Sequence, residues 1–203
     1  MLRLTTFAMT LALMGCKKDA PTSPAAKAPD PADALKAFAA EVLAPVQAAV
    51  PADGPKVTFE AKLLDDDRIA LTVPTGWTVG VIPGRFKPPD DAKLGFMTQF
   101  GAGGNCDGMC EPKDWKATAD KVEFAQFKSG SFSIIKDEPL TNPEGRLVVA
   151  SADGGKRLYL VVARWKDGAE RYFNCRATLE ESALKLLPAL ELACKKAQPL
   201  FLQ

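Results

Sequence analysis

The chain contains no histidine. That absence removes Ser-His-Asp and Cys-His nucleophilic systems, because the base that activates the nucleophile is missing. It also removes the usual catalytic zinc sets, nearly all of which use imidazole. Carboxylate-only or lysine chemistry is what remains, and no pattern points to either. An excess of charge of one sign is lacking as well: 26 Lys and Arg face 25 Asp and Glu. A balanced chain without a basic cluster is a poor partner for nucleic acid, where phosphate neutralisation supplies most of the affinity. No apolar run reaches the roughly 20 residues that a spanning helix needs. What is present, 203 residues with 47% apolar and 25% charged, suits one globular domain with a real core.

The first residues read "MLRLTTFAMTLALMGC". One Arg followed by a short apolar run ending in small residues has the pattern of a secretory signal, covering 1–15. Leu13-Met14-Gly15-Cys16 resembles the lipobox of bacterial lipoproteins, with an aliphatic residue three before the cysteine and a small one just before it. The resemblance implies that Cys16 carries a diacylglyceryl thioether and an acylated amino group after cleavage. Each buried methylene contributes about 0.8 kcal/mol, so such an anchor is effectively permanent. Lys17 follows where the family's inner-membrane retention signal places Asp, which favours the outer membrane. The segment 16–31 is then a linker, because "KKDAPTSPAAKAPDP" is Pro- and Ala-rich and has no apolar period. At about 3 Å per residue it holds a domain some ~40 Å from the bilayer.

Residues 32–203 read as a single α+β domain. Asp30-Pro31 is an N-cap with Pro at the first helical position. Leu35, Phe38, Val42 and Val46 then form one apolar stripe, and Pro45 is expected to kink or end the helix. From Val57 the period is two: Val57, Phe59, Ala61 and Leu63, then Ile69, Leu71 and Val73. Asp65-Asp66-Asp67 between them predicts a hairpin turn, since three adjacent acids lack the spacing of calcium loops. Trp77, Val79 and Val81 are expected on one face of a returning strand. "PGRFKPPDDAK" reads as a loop, and Leu94, Phe96 and Phe100 as a strand. "PKDWKATADKV" predicts a short helix with Pro112 first. "RLVVAS", "RLYLVVARW" and "ERYFNC" predict strands joined at Asp153-Gly154 and Asp167-Gly168, with "LYLVV" central and covered on both faces. Thr178-Leu179-Glu180-Glu181 has the form of a capping box opening a last helix that Pro188 bends.

The run "IALTVPTGW" and the succession of strand, helix, antiparallel meander and C-terminal helix resemble the PsbP-like fold over roughly residues 56–198. The resemblance implies a binding or assembly-accessory role rather than an enzyme, and it carries no functional residues across.

Four cysteines remain in the domain: Cys106, Cys110, Cys175 and Cys194. An even number in an exported chain argues for two disulfides, with three connectivities open. Cys106–Cys110 with Cys175–Cys194 is favoured. A straight helix over 178–194 would put the last two about 24 Å apart, against a limit of about 7 Å. Either Pro188 turns that segment back, or the cysteines cross-pair. "NCDGMCEPKDW" could instead hold a redox centre, because Cys110 precedes a helix start that would lower a thiol pKa; the CxxxC spacing argues against it. Four thiolates for zinc are disfavoured by spacing and export. A staple there would present Lys113, Asp114 and Trp115 as a binding patch, although Trp115 also suits a core plug.

The sequence therefore predicts a lipid-anchored envelope module that binds an envelope protein or small ligand, without cofactor or metal. The alternative is a thiol-disulfide protein using Cys106 and Cys110.

Overall fold

In a computed structural model, which describes residues 30–64, 68–106 and 114–202, Asp30 opens the first helix. Its carboxylate accepts a hydrogen bond from the Ala32 N–H at 2.9 Å, satisfying one of the free donors of a helix start. This helix, α1, spans Pro31–Ala48. The chain then runs through β1 Phe59–Leu64, β2 Ile69–Pro74, β3 Thr78–Val79, β4 Arg85–Lys87, β5 Gln99–Asn105, α2 Trp115–Ala119, β6 Ser133–Leu140, β7 Gly145–Ala152, β8 Arg157–Arg164, β9 Tyr172–Glu180, α3 Leu187–Lys196 and β10 Gln198–Pro199.

All pairings are antiparallel. β1, β2 and β10 form a small sheet, and the other seven strands form a large one in the order β3-β4-β5-β9-β8-β7-β6. This is an α+β fold. β8 lies inside the large sheet and shows why "LYLVV" is apolar throughout. Leu160 and Val162 enter one core with Phe38, Ile69, Phe173 and Leu190, beneath α1 and α3. Val161 and Ala163 enter a second core with Trp115, Phe124, Phe127 and Tyr172. The second core is roofed by α2 and its continuation, one π turn (Asp120–Phe124) and one 3-10 turn (Ala125–Lys128).

Several sequence expectations change. Pro45 does not end α1, which continues to Ala48; so near the C-terminus a missing N–H forfeits only one internal hydrogen bond. Val79 and Val81 do not join Trp77 in the core: Trp77 is buried, but Val79 is 60% exposed and Val81 fully so. β3 stops after two residues, and the Gly80 N–H turns to the Arg85 carbonyl at 2.7 Å. The supposed loop 83–93 contains β4. Leu94 and Phe96 precede the strand that begins at Gln99, and Phe96 is 89% exposed. α2 begins at Trp115, and Pro112 lies outside the described residues.

Thr178 does not cap a helix. It lies in β9 opposite Gln99 and Tyr159, because burial of Ala177 and Leu179 in the first core extends the strand through Glu180. A 3-10 segment, Glu181–Leu186, then reverses the chain, and Pro188 sits in the first turn of α3, where its absent N–H costs nothing. The reversal brings Cys194 back to Cys175. The two form a disulfide with Cα atoms 5.6 Å apart.

Candidate functional site

The second face of the large sheet is only half roofed. Where the roof stops, β4, β5, β9 and β8 place Arg85, Gly101, Arg176 and Val161 in one cross-strand row. Period-two alternation adds Gln99, Thr178 and Tyr159 to the same face. Gly101 leaves the row open. A Cβ there would meet the Gly84 carbonyl at 1.8 Å, so the β4 backbone closes tightly on β5. The Arg85 side chain instead crosses toward β9. Its Nη1 donates to the carbonyls of Gly101 and Arg176, each at 3.2 Å, and its Nη2 to Asn174 Oδ1 at 3.5 Å.

Among the described residues no carboxylate lies within ion-pair distance of Arg85. Glu123, the acid whose charge acts on Arg85, is engaged elsewhere. It is fully buried; its Oε1 accepts from Tyr172 Oη at 2.8 Å and Asn105 Nδ2 at 3.5 Å, and its Oε2 pairs with Arg176. Arg176 Nε is buried without a hydrogen-bond partner among the described residues. Two guanidinium groups thus face one carboxylate. Burial first, and the like charge of Arg176 second, push the Arg85 pKa down to about 10, with Glu123 opposing.

The row borders a cavity of about 200 Å³ lined by Ile82, Arg85, Gln99, Gln126, Tyr159 and Arg176. A second cavity of about 200 Å³ shares Ile82, Arg85 and Gln99, and adds Val81, Phe96 and Met97 together with Lys87 and Thr98 on its wall. The segment carrying Phe96 is pinned to β9. Glu180 Oε2 accepts from the Met97 N–H at 3.1 Å, and Thr98 Oγ1 accepts from the Glu180 N–H at 3.2 Å while donating to the Leu94 carbonyl at 2.5 Å. Phe96 is therefore held outward by polar anchors. Two wider concavities, about 610 Å³ beside Pro88 and Lys93 and about 740 Å³ beside Asn142 and Trp165, bring no buried charge to their walls.

The residues singled out from sequence lie elsewhere. Asp114 is the N-cap of α2 and accepts from the Ala117 N–H at 2.9 Å. Trp115 is no surface anchor: it is buried in the second core, and its Nε1 donates to the Ala169 carbonyl at 2.7 Å. The apolar roof needs its ring, so of the two readings the core plug applies. Lys113, Cys110, Cys16 and the Asp65–Asp67 turn lie outside the described residues. Cys106 is disulfide-bonded, and its expected partner Cys110 is among those not described. Among the described residues no cluster of metal-ligating side chains occurs. Sequence reading missed Arg85, Arg176 and Glu123. The available signal was "FNCRATL", where Arg176 sits between the buried Cys175 and Ala177 and so must share the opposite face with Asn174 and Thr178.

No protein-family model matches the chain, and no curated protein matches it in sequence. Among solved structures it is similar to the Ran-binding protein Mog1p of Saccharomyces cerevisiae, at 9% identity and a TM-score of 0.43, over 71% of this chain and 97% of that one. A substituted form of Mog1 is similar at 10% identity and a TM-score of 0.42, over 70% of this chain and 96% of that one. At that level neither the partner nor the role of those proteins transfers.

Proposed function

We propose that this chain is a non-enzymatic binding module, tethered to the bacterial outer membrane through acylated Cys16 and the 16–31 linker. The observation that carries the binding half is the exposed apolar group Val81, Ile82, Phe96 and Met97, which share one cavity wall. Large apolar side chains gathered on one surface mark a contact face rather than random exposure. Here Val81, Ile82, Phe96 and Met97 line a cavity that also carries the half-buried Arg85. The lipobox and linker carry the tether half, and the PsbP-like resemblance points the same way. In this reading the Cys106 disulfide is a staple, since Cys106 packs against the second core.

Both halves are testable in the full chain. Cys16→Ser is expected to abolish acyl-chain labelling and release the protein from the membrane fraction; unchanged fractionation would sink the tether. A photo-crosslinking amino acid at Phe96 is expected to give a discrete added mass, protein or small molecule, that the same group at Lys36 on α1 does not. Identical adduct patterns at the two positions would sink the contact face.

A further inference from the structure

The unbalanced arginines narrow what that face takes. We propose that the paired cavities bind a small organic oxyanion, a carboxylate or phosphate held by Arg85 and Arg176, with its apolar body against Ile82, Met97 and Phe96. The inference rests on the binding reading above and specifies its ligand class.

Arg85 and Arg176 are both half-buried, and charge withdrawn from water is normally paired. Arg176 has Glu123, whereas among the described residues Arg85 has two carbonyls and an amide. Neutral oxygens satisfy hydrogen-bond geometry and leave the charge uncompensated. Among the described residues the only contact of Arg85 Nη2 is the long one to Asn174 Oδ1, at 3.5 Å, so this guanidinium holds unmet capacity toward an oxyanion. Guanidinium forks match carboxylate and phosphate oxygens in pairs. Gln99, Gln126, Tyr159 and Thr178 add neutral donors around the same cavity. None of these lining side chains is acidic; the carboxylates behind the walls are engaged, Glu123 by Arg176 and Glu180 by the Met97 N–H.

The size is that of a small molecule. At roughly 30 Å³ per water, each cavity holds about seven waters, enough for an oxyanion in one and a short apolar group in the other. Ile82, Arg85 and Gln99 are common to both, so the charge and the apolar wall belong to one cleft. A cationic or purely apolar ligand would leave Arg85 as it is, uncompensated.

The test uses the full chain with Cys16→Ser, which prevents acylation and permits work without detergent. Phenyl phosphate, inorganic phosphate and benzylamine are titrated while the arginine Nε–H resonances are followed by NMR. Phenyl phosphate is expected to shift Arg85 and Arg176 saturably and to bind at least tenfold more tightly than inorganic phosphate; benzylamine is expected to leave both unmoved. Ile82→Glu, a change at an exposed position, is expected to weaken phenyl phosphate at least tenfold with an unchanged Tm. The inference is overturned if phenyl phosphate up to about 10 mM, ten times a weak 1 mM Kd, moves neither arginine, or if benzylamine competes with it. If the Phe96 crosslink nevertheless appears, the contact face stands and only the anion is wrong. If both fail, the binding reading falls as well.

Discussion

Arg85 illustrates a residue kept in a position that stability alone does not favour. Its depressed pKa means that the protonated form is disfavoured in the folded state. The sign follows from linkage: between about pH 10 and the higher value of an ordinary arginine the unfolded chain binds more protons, so this residue's charge lowers stability at neutral pH and the cost lifts as pH rises through that window. The shift amounts to about 3 kcal/mol. Arg85→Met, similar in length and uncharged, is therefore expected to raise the Tm by several degrees while removing oxyanion binding. A lower Tm in a thermal melt would show that the carbonyl and Asn174 contacts outweigh the desolvated charge. Gly95 is bound to its place by a different rule. Its φ of +86° is the left-handed region, and a Cβ would lie 2.8 Å from Glu180 Cβ. Gly95→Ala is expected to cost about 1–3 kcal/mol in denaturant unfolding and to loosen the Phe96 segment.

At the scale of elements, β6 and α3 are joined by charge rather than by apolar contact. Lys136 pairs with Glu138 at 3.1 Å and Glu191 at 2.5 Å, and Lys195 reaches Glu138 at 2.9 Å and Glu191 at 3.1 Å. β6 is largely exposed, which is why its "SIIKDEPL" carries no alternating apolar signal and escaped the sequence reading. A Lys136→Ala/Glu191→Ala cycle is expected to give a coupling of about 1 kcal/mol; zero coupling would reduce the network to surface decoration. Hydrogen bonds from Lys195 and Lys136 hold the Glu138 carboxyl below its ordinary value, and Arg146 does the same for Asp137. Their contribution is present above the unfolded values near pH 4 and is lost as pH falls through the lower folded values. Tm measured from pH 6 to pH 2 is expected to hold to about pH 5 and then fall; the same fall in a Glu138→Gln/Asp137→Asn double variant would contradict that cause. β9 and α3 show how much of an element boundary is tertiary. Thr178 to Glu181 satisfies the local rule for a helix start, yet burial of Leu179 in the first core holds the segment as strand.

For the molecule as a whole, the Cys175–Cys194 disulfide ties the central strand to the last helix, with both cysteines fully buried. Closing a segment of this length contributes about 3 kcal/mol in the chain-entropy view. The Cys175→Ala/Cys194→Ala double variant is expected to lose stability of that order in urea and to keep the Phe96 crosslink, because the contact face lies at the β3–β4 end of the sheet. Loss of the crosslink in a variant that still unfolds cooperatively would mean that the tie shapes the site. Among the described residues no helix is long and apolar enough to cross a membrane.

Local chemistry in the letters was enough for the parts whose signal is periodic or punctuated. These are the Asp30-capped helix with its Phe38, Val42 and Val46 stripe, the meander turning at Asp153-Gly154 and Asp167-Gly168, the doubly covered "LYLVV" strand, and the α+β class. The cleft was decided by tertiary structure. Arg85, Arg176 and Glu123 are separated by tens of residues and become neighbours only because β4, β5 and β9 pair in one register and Gly101 leaves a gap that a side chain crosses. Partial burial, which leaves the charge of Arg85 uncompensated, belongs to the assembled sheet and its half-finished roof, not to any local run of residues.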